Sequence, residues 1–224
     1  MTDEKPLLLD LFCKAGGAGA GYARAGFDVI GVDIEEQKHY PHQFYRGDVF
    51  TVVPQLLRQR KVALVHASPP CQFYSGLTNI SPKKRDAYPD LLDPTRELLK
   101  SMGLPYIIEN VAFAPLEIPT MLCGSMFGLG ATVDGERRQL RRHRFFESNQ
   151  LLFSPGPCDH TGRVVHVYGN PGGFDRRRNI KLANIAQWRE AMGIPWMNGA
   201  ELAQAIPPAM SEFLGRQLIK LLDD

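Results

Sequence analysis

The run Leu7-Leu8-Leu9-Asp10-Leu11-Phe12-Cys13-Lys14-Ala15-Gly16-Gly17-Ala18-Gly19-Ala20-Gly21-Tyr22 decides the fold. Leu7 to Phe12 is a short apolar run interrupted by one carboxylate, and Gly16, Gly17, Gly19 and Gly21 follow it; this predicts a buried strand, a tight turn and a helix. Outward from it, Val29 to Asp33 is a second apolar run ending in an acid. Val62 to His66 and Tyr106 to Ile108 are two more, separated by a helical pattern from about Leu91 to Met102. Strands alternating with helices predict an α/β fold with a mostly parallel sheet covered by helices on both faces. Ligands of such sheets sit beyond the carboxyl ends of the strands. The residues to read are therefore the glycine loop, Asp33, the Ser68-Pro69-Pro70-Cys71 turn and Glu109-Asn110.

Composition narrows the class. The 224 residues are 44% hydrophobic and 22% charged, which excludes disordered and fibrous chains and leaves room for one sizeable core. A formal charge of +2 does not advertise a nucleic-acid binder, so the placement of the basic residues matters more than their number. No stretch has the length and apolar character of a membrane span or a secretory signal, and a soluble, cytoplasmic, monomeric protein is expected. Cys13, Cys71, Cys123 and Cys158 form no C-x-x-C pair, so reduced thiols are expected. Cys158-Asp159-His160 offers two metal ligands with no matching pair evident elsewhere, and no metal is expected.

From Pro155 to Asn179 the texture turns to Gly, Pro and Arg with a short β-prone piece, Val164 to Tyr168. Residues 1–145 are read as a core, 146–180 as a short insert and 181–224 as a segment returning to the core. Helical patterns are expected at about Ile180 to Met192 and at Met210 to Leu222.

The strand ends carry the chemistry. The glycine loop does not fit G-x-G-x-x-G, since Tyr22 stands where the third glycine would be. Glycines there still allow backbone N–H groups near a ligand, and Asp33 suits ribose hydroxyls. Pro69 and Pro70 fix the backbone before Cys71 and present its thiol at a strand exit. Glu109, at the end of another strand, would hold a proton near neutrality if half-buried.

In this order the motifs resemble those of the cytosine-C5 DNA methyltransferases. Asp10 to Gly17 matches the family's D-L-F-C-G-x-G-G loop, Pro70-Cys71-Gln72 its P-C-Q and Glu109-Asn110-Val111 its E-N-V. Arg142-His143-Arg144 resembles the end of Q-x-R-x-R, Trp188 to Trp196 the helix after the recognition region, and Ala205 to Pro208 the closing G-N-A-V-P-P. The resemblance implies a Rossmann-like S-adenosylmethionine-dependent fold with a very small target-recognition insert. It implies Cys71 as the nucleophile at C6 of a cytosine rotated out of DNA, Glu109 at N3 and the exocyclic amine, and Arg144 at O2. It implies Phe12 on the adenine, Asp33 on the ribose, Asp48 on the adenine amine, and Gly16, Gly17 and Pro70 lining the cofactor. A neighbouring arginine is expected to raise the thiolate fraction of Cys71.

For DNA, the segment from Phe73 to Asp90 is expected to close behind the base, with Ser75, Lys83, Lys84 and Arg85 on phosphates. Arg163, Arg176, Arg177 and Arg178 in the insert are further candidates, joined by a cluster of Arg137, Arg138, Arg141 and Arg142. Lys14 replaces a family glycine, with solvent or a donor carboxylate as its partner. Leu140 and Gln204 also depart from the pattern, and only 43 residues separate Arg144 from Trp188. So short a module implies a short or degenerate target site. RNA as the substrate, or a catalytically weak DNA-binding protein, are the alternatives, the second opposed by the presence of Cys71, Glu109 and Arg144 together.

Overall fold

A computed structural model describes residues 4–74, 88–175 and 180–222. The first 110 residues build the parallel half of the sheet. Its strands are β1 (Leu7–Leu11), β2 (Asp28–Asp33), β3 (Gln43–Arg46), β4 (Val62–Ala67) and β5 (Tyr106–Asn110), with helices α1 (Gly17–Ala25), α2 (Val49–Gln59) and α3 (Leu92–Met102) between them. The later chain adds β6 (Thr120–Cys123), a hairpin of β7 (Gly130–Val133) and β8 (Glu136–Gln139), β9 (His143–Ser148), the two-residue pair β10 (Phe174–Asp175) and β11 (Ile180–Lys181), and helices α4 (Ile185–Met192), α5 (Gly199–Gln204) and α6 (Pro208–Leu218). The seven-stranded sheet runs β3-β2-β1-β4-β5-β9-β6. Its first five strands are parallel; β9 is antiparallel to β5, and β6 to β9.

The apolar runs read from the sequence are strands because both faces of each are buried. Leu9, Leu11, Ile30, Val32 and Ile108 point to one side and pack under α2 and α3 with Val53, Leu56 and Leu99. Leu8, Val29, Leu64 and Ile107 point to the other and meet Tyr22 of α1 and Met210 and Leu214 of α6. A third cluster joins Ala15, Val133, Leu140, Val165, Val167, Trp188 and Leu202, so the hairpin, the chain around Val165 and the last helices share one small core.

Two helical expectations shorten: the closing helix, expected over Met210 to Leu222, ends as α6 at Leu218 and continues as a 3-10 turn, Ile219–Leu222, and the helix before it starts late. Asn184 accepts from the Gln187 amide while Gln187 bonds back to the Asn184 amide, and this reciprocal cap starts α4 five residues later than the periodicity suggests. Ile180 and Lys181 pair with β10 instead. Val164 makes a single bridge to Gln139 and no strand.

The glycines of α1 serve packing. A Cβ on Gly21 would lie 2.0 Å from Ser211 Oγ and 2.2 Å from the Pro208 carbonyl, and one on Gly17 would lie 2.4 Å from the Ile206 carbonyl. Gly17 and Gly21 thus let α1 and the α6 segment meet backbone to backbone. Among the described residues, no helix is long and apolar enough to cross a membrane.

Candidate functional site

One cleft of about 320 Å3 opens at the carboxyl ends of β1, β2, β4 and β5, where the alternation placed it. Its walls include Phe12, Asp33, Asp48, Pro70, Cys71, Glu109 and Arg144, seven residues drawn from six separate stretches of the sequence. Gly17 also lines it, whereas Gly16 packs beneath: at φ +81° it caps α1, and its missing Cβ leaves room for Tyr40 and Pro41.

The loop after β1 is held in an unusual backbone path. Phe12 and Lys14 both have positive φ, 55° and 44°, which costs of order 1–2 kcal/mol for a non-glycine residue. Asp33 supports it: its carboxylate accepts from the Lys14 amide at 3.0 Å and from the Glu35 amide at 3.0 Å. The Trp196 indole donates to the Ala15 carbonyl from the far side. Lys14 itself reaches Glu35, Nζ to Oε2 2.9 Å, so its ammonium is engaged at the rim by a carboxylate of the protein. Asp48 caps α2 through the Phe50 amide and remains exposed toward the cleft. Ile34, 66% exposed, lines the same wall and was not singled out from the sequence; an apolar residue directly after the strand-end acid is the signal that would have found it.

Asp10 lies at the floor. It is buried, accepts from Tyr40 Oη at 3.2 Å, and its Oδ1 has no partner. Burial lifts its carboxyl to about 8, with the Tyr40 and Gly19 hydrogen bonds opposing the rise. The native protein therefore holds a proton that the unfolded chain releases near pH 4, and stability falls as pH climbs from about 4 to about 8. The Asp10→Asn variant is expected to lose this dependence: its melting temperature should exceed that of the wild type by a margin that widens between pH 5 and pH 8. Parallel melting curves across that range would overturn the assignment.

Across the cleft, Asn110 locks the proline turn to β5. Its Nδ2 donates to the Pro69 carbonyl at 3.1 Å and its Oδ1 accepts from the Val111 amide. Cys71 follows, half-buried, and its carbonyl accepts from the Tyr74 amide in a short 3-10 turn, Gln72–Tyr74. Glu109 and Arg144 are diagonal neighbours on one face of the β5–β9 pair, Arg144 Nε to Glu109 Oε1 2.9 Å. Burial raises the Glu109 carboxyl, against the pull of Arg144 and of a hydrogen bond from Ser68. Burial, reinforced by Glu109, also raises the Cys71 thiol; Arg144 lowers it, as expected, but is outweighed.

Sequence reading missed what stands behind Glu109. Ser68 lies 2.9 Å from His66 Nε2, and His66 Nδ1 lies 3.0 Å from Tyr22 Oη. Ser68 donates to Glu109, so the proton order that satisfies the chain is Tyr22 to His66 to Ser68 to Glu109. His66 is buried and kept neutral, its value driven down to about 3. A strand interior His two residues before Ser68 was the available signal.

The arginines before β9 are engaged by the protein itself. Arg142 donates to the Val167 carbonyl at 3.2 Å and the Ala203 carbonyl at 2.5 Å, joining the chain around Val167 to the end of α5. Arg141 holds the His160 and Gly162 carbonyls, and Arg138, buried, holds that of Lys181. Arg137 pairs with Glu190 and with the Gly128 carbonyl. Of these, Arg141 and Arg142 clasp residues 160–167, whose backbone carbonyls have no regular strand to bond. Arg163 stays exposed beside Glu136, at 3.0 Å. Ser75, Lys83, Lys84, Arg85, Arg176, Arg177 and Arg178 lie outside the described residues. Tyr74 and Asp90, which flank the first of these segments, are joined by a 2.5 Å hydrogen bond.

No family model matches the chain. It is 33% identical over 125 aligned residues to the type II methyltransferase M1.HphI of Haemophilus parahaemolyticus, a match spanning 46% of this chain and 32% of that protein. The chain thus spans about a third of the length of that relative. Among solved structures it superimposes along 98% of its length on a protein described as a DNA modification methyltransferase encoded within an E. coli prophage, with a TM-score of 0.62 at 14% identity. The Schizosaccharomyces pombe Dnmt2 methyltransferase gives 0.61 at 12% identity over 99% of the chain. Both solved structures are covered in full. The chain has the Rossmann-like methyltransferase fold.

Proposed function

We propose that the chain transfers a methyl group from S-adenosylmethionine to C5 of cytosine in DNA through a covalent adduct of Cys71. The observation that carries this reading is the meeting of Cys71 with the Glu109–Arg144 pair in the cleft that also holds Asp10, Phe12, Asp33 and Asp48. The relatives named above support methyl transfer to nucleic acid.

The cleft residues fit such a donor. Asp10 presents an unpartnered buried oxygen, which a hydrogen-bonding group of the bound donor would satisfy. Phe12 and Ile34 offer apolar surface for a purine, Asp33 retains acceptor lone pairs for ribose hydroxyls, and Asp48 can accept from an amine. When bound, the donor supplies an electrophilic methyl on sulfur.

The protein's own residues do the rest. The base must leave the helix to reach the cleft. Cys71 thiolate adds to C6, forming an S–C6 bond; the C5–C6 π pair shifts to C4–C5 and the C4–N3 π pair onto N3, for which Glu109, its carboxyl raised by burial against the pull of Arg144, is the proton source. Arg144, fixed by Glu109, meets O2. The C4–C5 π pair would then form the bond to the methyl carbon as the methyl–sulfur bond breaks, its electron pair staying on the donor's sulfur, which leaves as a neutral thioether. Loss of the C5 proton to a base, departure of Cys71 as thiolate and return of the N3 proton to Glu109 restore the ring.

Incubation with labelled S-adenosylmethionine and either DNA or RNA, followed by base analysis, tests the reading. Labelled 5-methylcytosine in DNA is expected. Label on adenine, on N4 of cytosine, or confined to RNA would overturn it.

A further inference from the structure

The pairing of β6 with β9 sets Cys123 directly opposite His143, a partnership across 20 residues that no spacing motif announces. Cross-strand partners project to the same face with Cβ atoms about 4.5–5.5 Å apart. Onto that face folds the turn carrying Cys158 and His160. Asp159, between them, points elsewhere: its carboxylate accepts from the Thr161 amide and hydroxyl and from Gln139 Nε2. Arg141 grips the His160 and Gly162 carbonyls. The matching pair missing from the sequence around Cys158-Asp159-His160 is thus supplied by the sheet.

The four ligand atoms converge within 4.8 Å of one another. Cys123 Sγ is 3.4 Å from His160 Nε2 and Cys158 Sγ is 3.8 Å from His143 Nε2. Zinc held by two thiolates and two imidazoles at about 2.3 and 2.0–2.1 Å puts its ligand atoms about 3.3–3.8 Å apart, so the cluster needs little adjustment to close a tetrahedron. The Ser125 hydroxyl donates to Cys123 Sγ at 3.3 Å, the kind of supporting bond that thiolate ligands accept. We propose that Cys123, His143, Cys158 and His160 bind one structural zinc ion.

The site is structural because all four positions are filled by protein and because it lies away from the cleft: His143 and Arg144 are adjacent in β9 and so project to opposite faces. Its task follows from the chain it holds. Apart from Leu152, residues 151–163 bury no large apolar side chain, and β6 is the edge of the sheet. A metal would fasten this stretch, and Arg163 beyond it, to that edge.

The test is the metal content of the full chain, purified without an affinity tag from zinc-supplied cells under reducing conditions. About one zinc per chain is expected, as for a closed four-ligand site. Exchange to cobalt should give tetrahedral visible bands with a thiolate charge-transfer band, and chelation should expose residues 151–163 to protease. Cys158→Ser and His160→Asn should each lose the metal, whereas Cys71→Ser should keep it. Wild type free of zinc with all four thiols reactive, a Cys123–Cys158 disulfide persisting in reductant, or metal retained by both loop variants would each overturn the proposal. If the variants fail to fold, the wild-type zinc count and cobalt spectrum decide. None of these readings depends on methyl transfer.

Discussion

Cys71→Ala is expected to reduce methyl transfer to less than about one-thousandth of the wild-type rate while leaving donor affinity within about twofold, since the reaction on C6 has no substitute nucleophile while donor contacts come from other residues. The neighbourhood makes a second part of this expectation specific. Burial and the Glu109 carboxylate hold the thiol up, and Arg144 only partly offsets them. The thiolate fraction is then small at neutral pH, and the single-turnover rate of the wild type should rise as pH climbs from about 7 toward the ordinary thiol range near about 8.5 and beyond. DNA carrying 5-fluorocytosine should trap the wild type covalently, because fluorine cannot leave C5 as a proton, and should not trap the alanine variant. Measured turnover by Cys71→Ala, or activity with no adduct on the fluorinated base, would remove Cys71 from the role assigned to it.

Glu147→Ala is expected to destabilise the fold by about 3–5 kcal/mol, enough to unfold a marginal domain, because it strands a buried arginine. Glu147 on β9 is 1% exposed and takes both Nε and Nη2 of Arg96 from α3, at 2.8 and 2.9 Å. Its Oε2 also accepts from the Glu117 amide, and Arg96 reaches the Pro115 carbonyl, so one ion pair secures the connection between β5 and β6 to a helix and a strand. With the carboxylate gone, Arg96 keeps Asp93 on Nη1 and Glu117 at 3.7 Å from Nε, both carboxylates at the surface, but Nε and Nη2 lose their buried acceptor. The double variant Arg96→Met with Glu147→Leu should recover most of the loss, since apolar side chains of similar volume need no counter-charge. Denaturant unfolding of the wild type, single and double variants measures this. A single variant within 1 kcal/mol of wild type would show that the pair is not the lock described.

How far the sequence could be read depended on how local the cause was. Leu7 to Leu11, Asp28 to Asp33 and Tyr106 to Asn110 were legible as strands because burial on both faces leaves an unbroken apolar run, and the acids and the cysteine that end such runs were legible as cleft residues because open α/β sheets gather their strand ends at one edge. Gly21 was visible as a glycine but not as the point where α1 meets α6, since Ser211 is 190 positions away. Arg142 and Arg138 read as DNA contacts because sequence displays charge and hides backbone carbonyls. The oxygens of Val167, Ala203 and Lys181 that they bond within the protein belong to no residue type.

By itself, the sequence determined the α/β class, the cleft at the strand ends and the residues Cys71 and Glu109 that line it, because strand periodicity, prolines and strand-terminal acids act over a few neighbouring positions; Arg144 came from the family resemblance alone. Only the tertiary structure decided the chain of hydrogen bonds behind Glu109, the employment of the arginines and the convergence of Cys123, His143, Cys158 and His160. Each of these depends on strand register or on the path of a loop, and register is set by the summed packing of whole faces, a quantity that no short stretch of residues contains.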